Sequence, residues 1–223
     1  MKLLAIDTAT EACSVALWIE GEVAERFEVA PRRHTHLVLP MAEQLLAEAE
    51  MSLAQLDLLA FGRGPGSFTG VRVATSMVQG IAFATDLGVL PVSTLTALAQ
   101  GALRETGAER VLAAIDARMG EIYWSRCVAE CGVMHPVEGE HLGAPEAVPL
   151  PGEGEWQGAG SGWDAHGLVL EKRLEKRLTR TLPDLLPHAR DVALLAADAL
   201  AKGARPCSAE QVQPVYLRDR VVS

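Results

Sequence analysis

The sequence predicts an α/β fold in two related lobes, each built on a mixed β-sheet. Three observations predict it: the order of strand-like and helix-like periodicities in the first hundred or so residues, a glycine-rich turn joining an apolar run to a long helix, and a partial return of the opening segment at residues 111–127. With 223 residues and 49% apolar content, the chain can bury a substantial core, in one large domain or two smaller ones.

Taken in order, residues 3–7, 14–19 and 22–29 read as strands, the last two joined by a turn at Glu20-Gly21. A helix follows over residues 35–50, with Pro40 in its first turns, where the missing N–H removes a hydrogen bond and bends the helix. Residues 56–61 form a short apolar run and residues 71–87 a long helical pattern, with GRGPGSFTGVR at 62–72 between them. A short strand at 89–93 completes the order βββαβαβ, that of a ribonuclease-H-like sheet with an antiparallel start and right-handed crossovers. The helical stretch 94–105 then leads out of a first lobe spanning 1–105.

The second lobe, 106–223, begins where LLAIDTATEACSVALW at 3–18 is echoed by VLAAIDARMGEIYWSRC at 111–127, aligning Asp7 with Asp116. Duplication explains the echo economically; two buried strands that both end in Asp explain it by chance. This lobe is less regular. Residues 138–162 are rich in Gly, Pro and Glu and read as loop, EKRLEKRL at 171–178 as a solvated surface segment, and 188–202 as a final helix stopped by Gly203.

The net charge of −9, a pI near 5.2 and an aromatic content of 4% argue against a chain that binds nucleic acid alone, because phosphate-backbone affinity needs clustered Lys and Arg. Asp7 and Glu11 interrupt the N-terminal apolar residues before a signal-peptide core forms, and no apolar run is long enough to span a bilayer, so a cytoplasmic protein without membrane association is expected. The four cysteines, Cys13, Cys127, Cys131 and Cys207, lack CxxC pairing and read as reduced thiols.

The glycine turn admits two readings. Backbone N–H groups of Gly64, Gly66 and Ser67 at a helix N-terminus form a phosphate seat, with Asp7 and Thr8 at the end of the first strand supplying a carboxylate and a hydroxyl. Alternatively the turn is a tight strand-to-helix connection capped by Ser67 or Thr69, since it lacks the lysine and spacing of a P-loop. The second-lobe counterpart would be GAGSGW at 158–163, an incomplete phosphate loop. His34 and His36 offer half of a metal site with no third ligand placed. Asp116 and Arg118 read as a hairpin-closing pair, and Tyr216 and Arg218 as a tether for the tail.

The helices carry more apolar surface than one sheet needs. Projected at about 100° per residue, 37–50 spreads Leu37, Met41, Leu45 and their neighbours over roughly 200°. On the following helix, Arg72, Thr75 and Gln79 flank an aromatic, Phe83, on the polar face. These seven residues form the candidate interface, with a second copy or a homologous chain as partner.

The segments LLAIDTATEACSVALW, GRGPGSFTGVR, GVLPVSTLTALAQ, AAIDARMGEIYW and PVYLR, spread over nearly the whole chain, together resemble the bacterial TsaB (YeaZ) family. The resemblance implies a duplicated ribonuclease-H-like, ASKHA (actin-like and Hsp70-like) fold. It implies a protein needed to place threonylcarbamoyl on the adenosine next to the anticodon of tRNAs reading codons that begin with adenine. In that family the paralogue TsaD performs the transfer, TsaB is its non-catalytic partner, and the ATPase TsaE docks on the pair. The implied partners are therefore TsaD as heterodimer, TsaE, tRNA indirectly through the complex, and a second copy when alone. No cofactor is expected on this chain by itself, and ATP only in the complex with TsaE. Where TsaD carries a His-x-x-x-His metal pair, this chain reads VSTLTAL at 92–98, without a metal ligand. The rival function is a small ASKHA-type ATPase or transferase using Asp7 and the glycine loop.

Overall fold

The computed structural model describes residues 1–218. Its first sheet is formed by β1 (Lys2–Asp7), β2 (Ala12–Ile19), β3 (Glu22–Val29), β4 (Leu58–Gly62) and β5 (Val89–Val92), in the order β3-β2-β1-β4-β5. β2 lies antiparallel to both β1 and β3, whereas β4 runs parallel to β1 and β5 parallel to β4. The parallel steps are made by crossover helices, α1 (His34–Glu48) and α2 (Phe68–Thr85). Alternation along β1 sends Leu4 and Ile6 into the core shared with Val38, Leu45, Val73 and Val78 of these helices. Leu3, Ala5 and Asp7 point to the opposite face and are equally buried.

After α3 (Thr94–Thr106) the same topology recurs. β6 (Arg110–Arg118), β7 (Glu121–Glu130) and β8 (Val133–Pro136) are antiparallel neighbours, and the short β9 (His141–Gly143) pairs with β7. β10 (Trp156–Ala159) lies parallel to β6, and β11 (Leu178–Leu182) parallel to β10, joined by α4 (Ser161–Leu174). The order β8-β7-β6-β10-β11 repeats that of the first sheet, so the echo in the sequence reflects a repeated fold. The segment 138–162, expected as loop, contains β9 and β10 and leads into α4. These strands of three and four residues are too short to show a period.

The final helix, α5 (Ala189–Ala201), does not pack where its place in the sequence suggests. It covers the open face of the first sheet, against β1, β2 and β4. The compact units are accordingly Met1–Ala97 with Pro187–Val215, and Leu98–Leu186 with the C-terminal residues from Tyr216. This differs from the expected lobes of 1–105 and 106–223. The reason is the apolar stripe of Val192, Leu195 and Ala196, which completes burial of a sheet whose strands are apolar on both faces.

Candidate functional site: a filled glycine loop and an open helix face

The structure brings Asp7, Thr8, Gly64, Gly66 and Ser67 together, and packs them on one another. The β1–β2 turn lies directly on the glycine loop: a Cβ on Gly66 would overlap the carbonyl of Ala9, and one on Gly70 that of Thr8. Ser67 N–H donates to the Ala9 carbonyl at 2.7 Å, and the Thr8 hydroxyl to the Gly70 carbonyl at 2.7 Å. Ser67 also caps α2 through its oxygen, which accepts the Gly70 N–H at 3.4 Å. Gly64, at φ +97°, donates to the Thr94 hydroxyl at 3.2 Å and accepts the Thr94 N–H at 3.0 Å. The neighbouring Arg63 carbonyl accepts the N–H of Val215 at 2.8 Å. The glycines thus serve close approach of one chain segment to another, and the amides of a phosphate seat are engaged within the protein. The second-lobe loop is similarly filled. A Cβ on Gly158 would overlap the ring of Trp163, whose Nε1–H donates to the Leu112 carbonyl at 3.0 Å.

Asp7 is 1% exposed. Its Oδ1 accepts the Ala9 N–H at 2.9 Å, and its Oδ2 is buried without a hydrogen-bond partner among the described residues, against Gly62. Burial drives its pKa up to about 6, partly opposed by the Ala9 amide, the charge of His188 and the Thr94 hydroxyl. Beside it lies a polar network that sequence reasoning missed. Glu25 accepts the Ser14 hydroxyl at 2.8 Å and the Arg190 N–H at 3.2 Å, and its Oε2 lies 3.1 Å from His188 Nδ1. The Ala189 N–H donates to the Ser14 oxygen at 2.9 Å, and the His188 ring stacks on Phe27 at 4.1 Å. Burial raises the Glu25 pKa, but His188, Ser14 and Arg190 outweigh it and hold the carboxyl below its ordinary 4.5. No local motif announces this network, because its members lie more than 160 residues apart across the α5 junction.

The other polar candidates have structural partners. Asp116 accepts the Arg118 N–H at 2.9 Å and pairs with its guanidinium at 2.9 Å, closing the β6–β7 hairpin. Arg218 reaches the same hairpin, 3.1 Å from the Ala117 carbonyl and 2.7 Å from Glu121, and so holds the tail. Tyr216 is partly exposed at 44%. His34 is buried and His36 exposed, and among the described residues no group of three His, Cys, Asp or Glu side chains is placed to hold a metal. All four cysteines are free; Cys13 is buried, and its thiol is pushed up to about 12 by burial and by Asp7 and Glu28.

The helix face differs from expectation. Met41 and Leu45 belong to the core under α1, and Thr75 is buried with its hydroxyl on the Val71 carbonyl at 2.7 Å. The apolar arc of α1 is wide because most of it is used internally; Leu37 sits half-buried at its border and Leu39 beyond it is exposed. Gln79 is half-buried and donates to the Val212 carbonyl at 2.8 Å. What remains open is a stripe along α2. Arg72 lies 3.6 Å over the ring of Phe68, Ser76 and Gly80 are exposed, and Phe83 is 80% exposed.

Two sheets with one topology, each carrying an Asp near the end of its first strand, define a duplicated ribonuclease-H-like fold of the ASKHA class. Residues 27–223 match the family model for TsaD, tRNA N6-adenosine threonylcarbamoyltransferase. The chain is 46% identical over 99% of its length to the tRNA threonylcarbamoyladenosine biosynthesis protein TsaB of Escherichia coli, covering 96% of that protein. It is 43% identical, again over 99%, to TsaB of Haemophilus influenzae, covering 95% of it. A solved structure, YeaZ from Pseudomonas aeruginosa, superposes with a TM-score of 0.90 at 50% identity, over 97% of this chain and 99% of that one. The chain belongs to the TsaB family.

Proposed function

We propose that this chain serves tRNA threonylcarbamoyladenosine biosynthesis as the non-catalytic partner of a threonylcarbamoyltransferase of the TsaD kind. The open stripe on α2 carries this reading: an aromatic 80% exposed on a helix otherwise well packed is a docking anchor. Its filled glycine loops also support a scaffold over a nucleotide-driven enzyme, since their donors are engaged by the chain. Docking orders the partner's active site and builds a composite surface to which TsaE, with ATP, and tRNA come. The same face serves self-association when the partner is absent. One observation favours the rival ATPase or transferase, namely the orphaned, buried Oδ2 of Asp7.

The deciding experiment is sedimentation of the protein alone, with TsaD, and with TsaD, TsaE and ATP, together with threonylcarbamoylation of tRNA by the same mixtures. A one-to-one complex with TsaD and modification that requires both are expected. Phe83→Asp should abolish pairing and leave the melting temperature of the isolated chain unchanged. Nucleotide turnover by this chain alone, lost in Asp7→Ala, would transfer the case to the rival.

A further inference from the structure

The α2 stripe is chemically polarised. At about 100° per residue, Phe68, Arg72, Ser76, Gln79 and Phe83 fall within roughly 80° of arc. The N-terminal end is cationic and aromatic, with Arg72 stacked on Phe68, itself 53% exposed. The C-terminal end is anionic and aromatic, with Phe83 followed by exposed Asp86, the αL cap of the helix. The last carbonyls of α2 add partial negative charge there. Between the two ends stand small exposed residues, Ser76 and Gly80. A Cβ at Gly80 would meet nothing within 4 Å, so this glycine answers to no neighbour in its own chain.

Such a stripe complements itself when reversed. A parallel alignment sets like ends against like; an antiparallel one sets Arg72 against the aromatic-acidic end, and does so twice across a two-fold axis. Beside Phe83 lies a groove of about 370 Å³ lined by Asp86, Leu87, Gly88, Pro206 and Cys207. Position 68 and positions 86–88 are nearly equidistant from a crossing at Ser76 and Gly80, which delivers an incoming Phe68 ring to that groove. We propose that α2 pairs antiparallel with α2 of a second copy, crossing at Ser76 and Gly80, with Arg72 of each copy against Phe83 and Asp86 of the other. This rests on the docking reading above and adds to it the occupant, the direction and the register.

Charge exchange tests it by sedimentation equilibrium on the full chain. Arg72→Glu and Asp86→Arg, each alone, place like charges together twice and should weaken self-association by about tenfold or more. The doubly exchanged chain should recover to within about threefold of wild type, and an equimolar mixture of the two single variants should form a mixed dimer, because only that pairing matches both charge contacts. Gly80→Leu is a charge-neutral companion, tolerated by its own chain yet blocking the crossing, and should also give monomers with an unaltered melting temperature. A monomeric wild type, single variants as tight as wild type, or a double exchange no better than the singles would overturn the proposal. If Phe83→Asp still disrupts pairing in those cases, the docking face stands and only the register falls; if it does not, the docking reading falls as well.

Discussion

Asp7 is the residue at which burial and chemistry conflict most. A carboxylate 1% exposed with one oxygen unpartnered is held at a cost, which its pKa of about 6 against an ordinary 3.8 expresses. The folded state therefore keeps the proton where the unfolded state has released it. The contribution of Asp7 to stability is fully present below about pH 4 and is lost as the pH rises through 6. Asp7→Asn removes that loss, because its amide nitrogen is neutral and faces the Thr94 oxygen. The variant should be more stable than wild type at pH 7 by on the order of 3 kcal/mol, a gap that closes toward pH 4. Urea unfolding of both proteins across that range measures it, and a pH-independent difference would contradict the assignment. The sequence shows an Asp at the end of a strand. It does not show that Gly62 and Thr94 close over it, since that depends on β4 and α3 arriving beside β1.

Among the elements, α5 shows how a helix is fixed in a place its own sequence does not specify. His188, its N-cap residue, makes no side-chain cap bond, and the first helical amides are satisfied from the sheet: Ala189 by Ser14 of β2 and Arg190 by Glu25 of β3. Ser14→Ala leaves the Ala189 amide buried without its acceptor and should destabilise by about 1–3 kcal/mol in denaturant titration. Glu25 has the opposite pH signature to Asp7. Its folded pKa is lowered, so its contribution is present above about pH 4.5 and is lost as the pH falls through the folded value. Glu25→Gln should consequently flatten the acid limb of the stability profile. The helix itself is legible from its apolar period and Gly203. Its capping partners are not, because they are long-range contacts between residues of ordinary local type.

At the scale of the molecule, two repeats of one topology are completed by helices that do not all stay with their own sheet in sequence order. The first compact unit takes back Pro187–Val215 after the chain has built the second sheet. A chain ending at Leu186 lacks Val192, Leu195 and Ala196 over the face of Leu3 and Ala5, and should lose the cooperative unfolding of the first unit in calorimetry. Among the described residues no helix is long and apolar enough to cross a membrane, in keeping with the hydropathy of the sequence.

The sequence by itself determined the strand and helix order of the first lobe, the repeat and the family, because these rest on local periodicity and on contiguous motifs such as GRGPGSFTGVR. It also singled out Phe83, whose exposure follows from its place on a polar helix face. Only the tertiary structure decided that the glycines serve chain packing, that Met41, Leu45 and Thr75 face inward, and that α5 belongs to the first sheet. The physical reason is common to all three. A glycine, an apolar helix position and an amphipathic terminal helix each state a need to be covered, and which segment covers them is settled by contacts between residues far apart in the chain.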